Sequence, residues 1–251
     1  MDVVDAYPKI EEKAKEIINE VKTDDDFETI KNLHDYIVLN TKYDEESVAN
    51  QNIRSVLLFN ESVCAGYAQA FQYVSNMMGY ECYSITGKVV PYDDESLHKW
   101  NIIRLNDNWY WIDTTWDEVY DGNGKEIGVS NDYLFLDDEI LLIDHKPDEY
   151  FDLPACEDKS LFYLNDAGAY FDTYDVKQIE KKMKEWISKR YHEFRFRFSS
   201  KEDAQKLYDY IENEEFFDFY EKNISDHYNL YLGYSYSEDN YLVILDWKDV
   251  Y

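Results

Sequence analysis

The chain has 251 residues, and 45% are hydrophobic, enough for a folded core and too many for a disordered chain. Its 54 acidic residues outweigh 25 basic ones, giving a formal charge of -29 that repels phosphate backbones and anionic lipid, so nucleic acid is not an expected partner. No apolar run approaches the ~20 residues of a bilayer-spanning helix, and MDVVDAYPKI lacks the basic start and apolar stretch of a signal peptide.

In chain order, Ile10, Ala14, Ile17 and Val21 recur at helical spacing over 9–21. Asp24–Asp26 then sits where carboxylates favour a helix start, and Phe27, Ile30, Leu33 and Ile37 form a second stripe. His34 borders that stripe, where packing or surface exposure is the ordinary fate of a histidine. A third helix is expected over 62–78, with Ser62 as N-cap. Val63, Tyr67, Phe71, Val74 and Met78 form its buried face, and Gly79 its stop.

The period then changes to that of strands, at 82–90, 98–105 and 109–114, rich in β-branched and aromatic residues. Asn106-Asp107-Asn108 between the last two is a hairpin signal. Composition shifts near Pro147–Pro154, which places a domain boundary there and divides the chain into 1–150 and 151–251. Beyond it come a helix with Val176, Ile179, Met183 and Ile187 on one side and the half-buried strand HEFRFRF. A helix near 200–222 follows, for which Ser199 and Glu202 form a capping box. Two strands near 227–236 and 241–247 flank the turn SEDN. This is a small α+β unit with no site in its sequence.

Cys64, in ESVCAGYAQAF, stands near a helix start, where the helix dipole and free amides favour thiolate over thiol. Its own amide is free to donate to an oxyanion, and Ala65 and Gly66 leave the sulfur uncrowded. The plain alternative is a small buried hydrophobe. A thiolate also needs a base that titrates near neutral pH and a carboxylate to hold that base. His98 and Asp113 lie on consecutive strands. With Asn106-Asp107 as a two-residue loop, Leu105 pairs with Asn108, and Asp113 falls one diagonal step from His98, roughly 7–8 Å between backbones. A one-residue slip moves them further apart, and a three-residue loop puts them on opposite faces unless a bulge intervenes.

The blocks VCAGYAQAF at 63–71, HKWNIIRL at 98–105 and WYWIDTTWDE at 109–118 resemble, in this order, the bacterial transglutaminase-like proteins of the papain-like cysteine protease superfamily. The resemblance spans roughly residues 30–145. It implies an α+β, papain-like transglutaminase core with a helix-borne Cys64 packed on an antiparallel sheet that presents His98 and Asp113. The implied chemistry is attack on a protein or peptide amide through a thioester, followed by hydrolysis or acyl transfer; a non-catalytic binding module retaining the fold is the alternative. The resemblance also favours a secreted or cell-surface bacterial setting. Many classical relatives add an indole donor to the oxyanion hole from upstream of the cysteine. No tryptophan precedes Cys64, and Tyr43 in NTKYDEE is the substitute candidate. Trp100 and Trp116 are candidates for the site wall, and Lys99 is expected to point away by strand alternation.

Three cysteines, Cys64, Cys82 and Cys156, are not a disulfide framework, and the last two default to structural roles. No CxxC or HExxH occurs, so neither metal nor cofactor is expected. DEVYDGNGKEIG fails the EF-hand spacing, since Val119 and Gly128 fall at its third and twelfth positions, and reads as a Gly-rich turn.

Overall fold

The computed structural model describes residues 3–46, 50–90, 96–120, 126–150, 152–161, 168–189, 191, 193–223, 230–237 and 241–249. Two units emerge, Met1–Leu164 and Asn165–Tyr251. The expected boundary at 150/151 therefore moves toward the C-terminus. Segment 152–161 is hydrogen-bonded into the first unit: Asp138 accepts from the Cys156 amide at 3.1 Å, the Asp138 amide donates to the Cys156 carbonyl at 2.8 Å, and Asn108 bonds Asp158.

The first unit begins with α1 (Val3–Val21) and α2 (Asp26–Asn40). Ala6, Ile10, Ala14, Ile17 and Val21 bury one stripe of α1. The Asp25 carboxylate caps α2 by accepting from the Glu28 amide at 3.0 Å. Strands β1 (Lys42–Tyr43) and β2 (Glu61–Ser62) pair in parallel around a single π-helical turn at Ser55–Phe59. Helix α3 (Cys64–Met78) follows and ends at Gly79, whose φ of 98° gives the left-handed stop.

The expected cap of α3 moves by one residue. Val63 is the N-cap, and its aliphatic side chain offers no bond; the Ser62 hydroxyl is engaged elsewhere, donating to the Asn50 carbonyl at 2.6 Å and meeting the Ser55 hydroxyl at 2.7 Å. Gly66 has a packing role as well. It is where α3 presses on this loop, and a Cβ there would lie 1.9 Å from Ser62 Oγ.

Strands β3 (Glu81–Val89), β4 (Leu97–Leu105) and β5 (Asn108–Ile112) come next. The hairpin β6 (Glu118–Tyr120) and β7 (Glu126–Val129) precedes β8 (Leu134–Leu136), the short α4 (Asp138–Leu141) and β9 (His145–Pro147). Five strands form one antiparallel sheet in the order β8-β5-β4-β3-β9. The β4–β5 loop is the two-residue form: Leu105 pairs with Asn108, and Asn106 and Asp107 hold φ of 51° and 66°, as a type I′ turn requires. Ile103, Leu105, Tyr110 and Ile112 pack with Phe71 and Val74 into the helical core. His98, Trp100, Trp111 and Asp113 alternate onto the other face.

The second unit has its own core and a sheet in the order β10 (Gly168–Phe171), β11 (Glu193–Phe198), β13 (Leu242–Asp249), β12 (Leu230–Ser237), with only the β10–β11 pair parallel. Phe194, Phe196 and Phe198 pack against α5 (Val176–Ser188), α6 (Lys201–Ile211) and α7 (Glu214–Asn223). The helix expected over 200–222 is two helices, because Asn213 Oδ1 accepts from the Glu215 and Phe216 amides and starts α7 afresh. The cap of α6 is Ser200, accepting from the Asp203 amide; Ser199 instead donates to the Asp172 carbonyl at 2.7 Å. Residues 121–125 of the expected Gly-rich turn and 238–240 of the SEDN turn lie outside the described residues. No helix among the described residues is long and apolar enough to cross a membrane.

Candidate active site

Cys64 is the first residue of α3, where the dipole is positive and the backbone N–H has no partner within the helix. The I′ turn sets the register that brings His98 to Asp113, and their side chains meet with Nε2 2.6 Å from Oδ2. That leaves Nδ1 as the remaining ring nitrogen, and the Cys64 thiol lies near enough to favour the protonated ring. Burial disfavours the His98 cation, yet the Asp113 charge and hydrogen bond, with the Cys64 contact, outweigh it and raise the ring from 6.5 to about 10. Asp113 is fully buried, which opposes its charge, but His98 and His145 together hold it well below the usual carboxylate range. Its Oδ1 accepts from the Thr115 and Trp116 amides at 2.9 and 3.3 Å.

A cleft of about 440 Å³ opens onto His98, lined also by Tyr43, Leu97, Thr115, Trp116 and Glu118. Tyr43 is half-buried, its ring centroid 6.3 Å from that of Tyr67. Burial first, and the Cys64 charge second, push its phenol up to about 12, so it stays a donor at neutral pH. Trp116 is both cleft wall and ring contact, with centroids 5.8 Å from His98 and 4.5 Å from His145. Trp100 is wholly buried behind His98, stacked at 6.0 Å, so it backs the ring and does not line the cleft.

Sequence reasoning missed His145 and Asp144 and treated His34 as ordinary. His145 Nε2 lies 3.0 Å from Asp113 Oδ2, and its Nδ1 lies 2.6 Å from Asp144 Oδ1. No motif marks this pair; its only sequence signal is a histidine closing an apolar run. His34, fully buried on α2, lies 2.9 Å from Asp117 Oδ2 through Nε2 and 2.9 Å from Asp35 Oδ1 through Nδ1. Burial opposes its charge, but the two carboxylates prevail and raise it to about 9. Asp117 accepts from the Ser130 hydroxyl and the Tyr133 amide, and its charge contact with His34, which lacks hydrogen-bond geometry at Nε2, ties α2 to the segment carrying Trp116.

His98, Asp113 and His145 gather three ligand-type atoms within 4.8 Å of one another. Neighbouring ligands on a tetrahedral zinc stand about 3.3 Å apart, given bonds of ~2.0–2.1 Å. The observed 2.6 and 3.0 Å contacts are shorter and suit protons between the atoms. Cys82 and Cys156 are buried, and burial raises both thiols far above their usual range, in keeping with structural roles.

Residues 11–124 match the transglutaminase-like superfamily. Kyphoscoliosis peptidase of Mus musculus is 25% identical over 139 residues, which cover 49% of this chain and 21% of that protein. The chain thus spans about a fifth of the length of this curated relative. Among solved structures, a TGase aligns with TM-score 0.39 and 16% identity over 44% of this chain and 33% of its own. A candidate cysteine protease from Cytophaga hutchinsonii aligns with TM-score 0.37 and 19% identity over 52% of this chain and 47% of its own.

Proposed function

We propose that the chain, whose residues 11–124 match the transglutaminase-like superfamily, is a cysteine enzyme acting on protein or peptide amides through a thioester. Cys64 is the nucleophile, His98 the general base and acid, and Asp113 the group that orients it. The observation that carries this reading is the buried 2.6 Å Asp113–His98 bond on one ring nitrogen, with the Cys64 sulfur neighbouring the same ring.

The chemistry follows from those positions. Asp113 on Nε2 keeps a proton there and stabilises the imidazolium that forms when Nδ1 takes the Cys64 proton. The Cys64 sulfur bonds to the amide carbon, and the carbonyl oxygen becomes an oxyanion. The Cys64 amide and the Tyr43 hydroxyl are its donors, near the positive end of α3. As the C–N bond breaks, His98 returns its proton to the departing amine and a thioester remains. His98 then takes a proton from water, which completes hydrolysis, or from an amine, which completes transfer, and the Cys64 thiolate leaves.

Peptide mapping after iodoacetamide treatment tests the nucleophile. Cys64 should label first, far ahead of buried Cys82 and Cys156, and His98→Gln should slow it. The reaction itself is read on a denatured protein mixed with dansylcadaverine: mass spectrometry scores cleavage and amine incorporation, with a Cys64→Ala control. Equal labelling of all three cysteines, with neither product above the control, would leave a binding module on the same fold.

A further inference from the structure

His145 has both ring nitrogens on carboxylates, Asp113 at 3.0 Å and Asp144 at 2.6 Å, and is itself buried. A neutral imidazole carries one N–H and would aim a lone pair at one of the two anions; only the doubly protonated ring donates to both. Burial opposes that charge, but the bonds to Asp113 and Asp144 outweigh it and raise the ring's affinity for its second proton. Behind it, Asp144 Oδ2 accepts the Tyr133 hydroxyl at 2.5 Å.

We propose that His145 is a positioning residue for this site. With Asp144 it extends Cys64, His98 and Asp113 into a buried chain of alternating charge that fixes the Asp113 carboxylate and sets the pH range in which Cys64 reacts. This rests on the functional reading above. The order is Asp144 negative, His145 positive, Asp113 negative, His98 positive and Cys64 negative, so each charge faces opposite neighbours. Asp113 has no freedom to turn: Oδ2 serves both rings, while Oδ1 holds the Thr115 and Trp116 amides. The groups facing His145 from the elements around it are Asp113, Asp144, His98 with its centroid at 5.7 Å, and the uncharged rings of Trp100, Trp116 and Tyr133 at 4.9, 4.5 and 5.5 Å. With so few charges facing the ring among the described residues, one charge at His145 carries weight at the far end of the chain.

The test is the rate of Cys64 alkylation by iodoacetamide between pH 4 and 9, on the full chain, for wild type, His145→Gln and Asp144→Asn, with thermal melts alongside. Removing the cation disfavours the thiolate and should move the pH of half-maximal rate up by roughly half a unit or more. Asp144→Asn takes away one of the two carboxylates that hold the second proton on His145, so it should move the pH of half-maximal rate the same way and by less than His145→Gln does. An unshifted profile in folded His145→Gln, or a downward shift in either variant, overturns the proposal. If a variant does not fold, ring nitrogen NMR of the wild type decides instead: His145 should carry protons on both nitrogens at pH 7.5, and a singly protonated ring would sink the idea. With five histidines in the sequence, assignment by single substitution is practical. Should His98→Gln alkylate at the wild-type rate, the functional reading fails, and the ring spectrum still tests the chain.

Discussion

Replacing Asp113 by Asn removes the largest upward influence on His98 while keeping the shape of the side chain. His98 is raised from 6.5 to about 10 against the cost of its own burial. Without the Asp113 charge that cost is unopposed from this side, so the ring should fall to 6.5 or lower. The change of 3.5 units corresponds to about 5 kcal/mol of lost preference for the imidazolium. At pH 7 a ring of that acidity is charged in about a quarter of molecules or fewer, where the wild-type ring is almost wholly charged. The amide adds a second fault. Its nitrogen can donate to Nε2, which leaves the ring's only proton on Nδ1, the atom that must accept one from Cys64. We expect a loss of roughly two decades or more in turnover and in Cys64 alkylation at neutral pH. That is smaller than the ~10⁴ of the serine template, because a thiol depends less on its base. The assay is alkylation rate against pH for wild type and Asp113→Asn, with thermal melts to confirm folding. A folded variant whose Cys64 reacts like wild type at every pH would remove Asp113 from the site.

Other consequences concern stability. His34 binds its proton with a folded value of about 9, against ~6.5 in an unfolded chain. Its stabilising contribution is therefore complete below pH ~6.5 and lost as pH rises through about 9, some 3 kcal/mol in all. Urea melts of wild type and His34→Gln should differ most near pH 6 and converge by about that amount at pH 9.5; a gap independent of pH would show that the ring is neutral. Gly66→Ala puts a Cβ 1.9 Å from Ser62 Oγ and 2.7 Å from Ser55 Oγ, in a buried loop that also meets the start of α3. It should cost about 1–3 kcal/mol and slow Cys64 alkylation, since the α3 terminus must shift. An unchanged melting temperature would mean that the loop yields freely.

Local chemistry made much of this legible in advance. The Asn106-Asp107 turn accepts the positive φ values of a type I′ loop; once that loop is chosen, strand pairing and the proximity of His98 and Asp113 follow by alternation alone. Apolar spacing located α1, α2 and α3, and Gly79 marked a stop that needs only one residue to act. Hydroxyl assignments were decided by tertiary structure. Ser62 and Ser199 both looked like caps, but Ser62 is claimed by Asn50 and Ser55, and Ser199 by Asp172, which lies 27 residues away. The buried histidines were decided the same way. His145 meets an Asp113 that is 32 residues away, and His34 meets an Asp117 on a different element. A solvated histidine and one clamped between two carboxylates have the same sequence signature. What separates them is desolvation and the arrival of distant charges, which exist only once α2, the sheet and the segment after β5 have packed together.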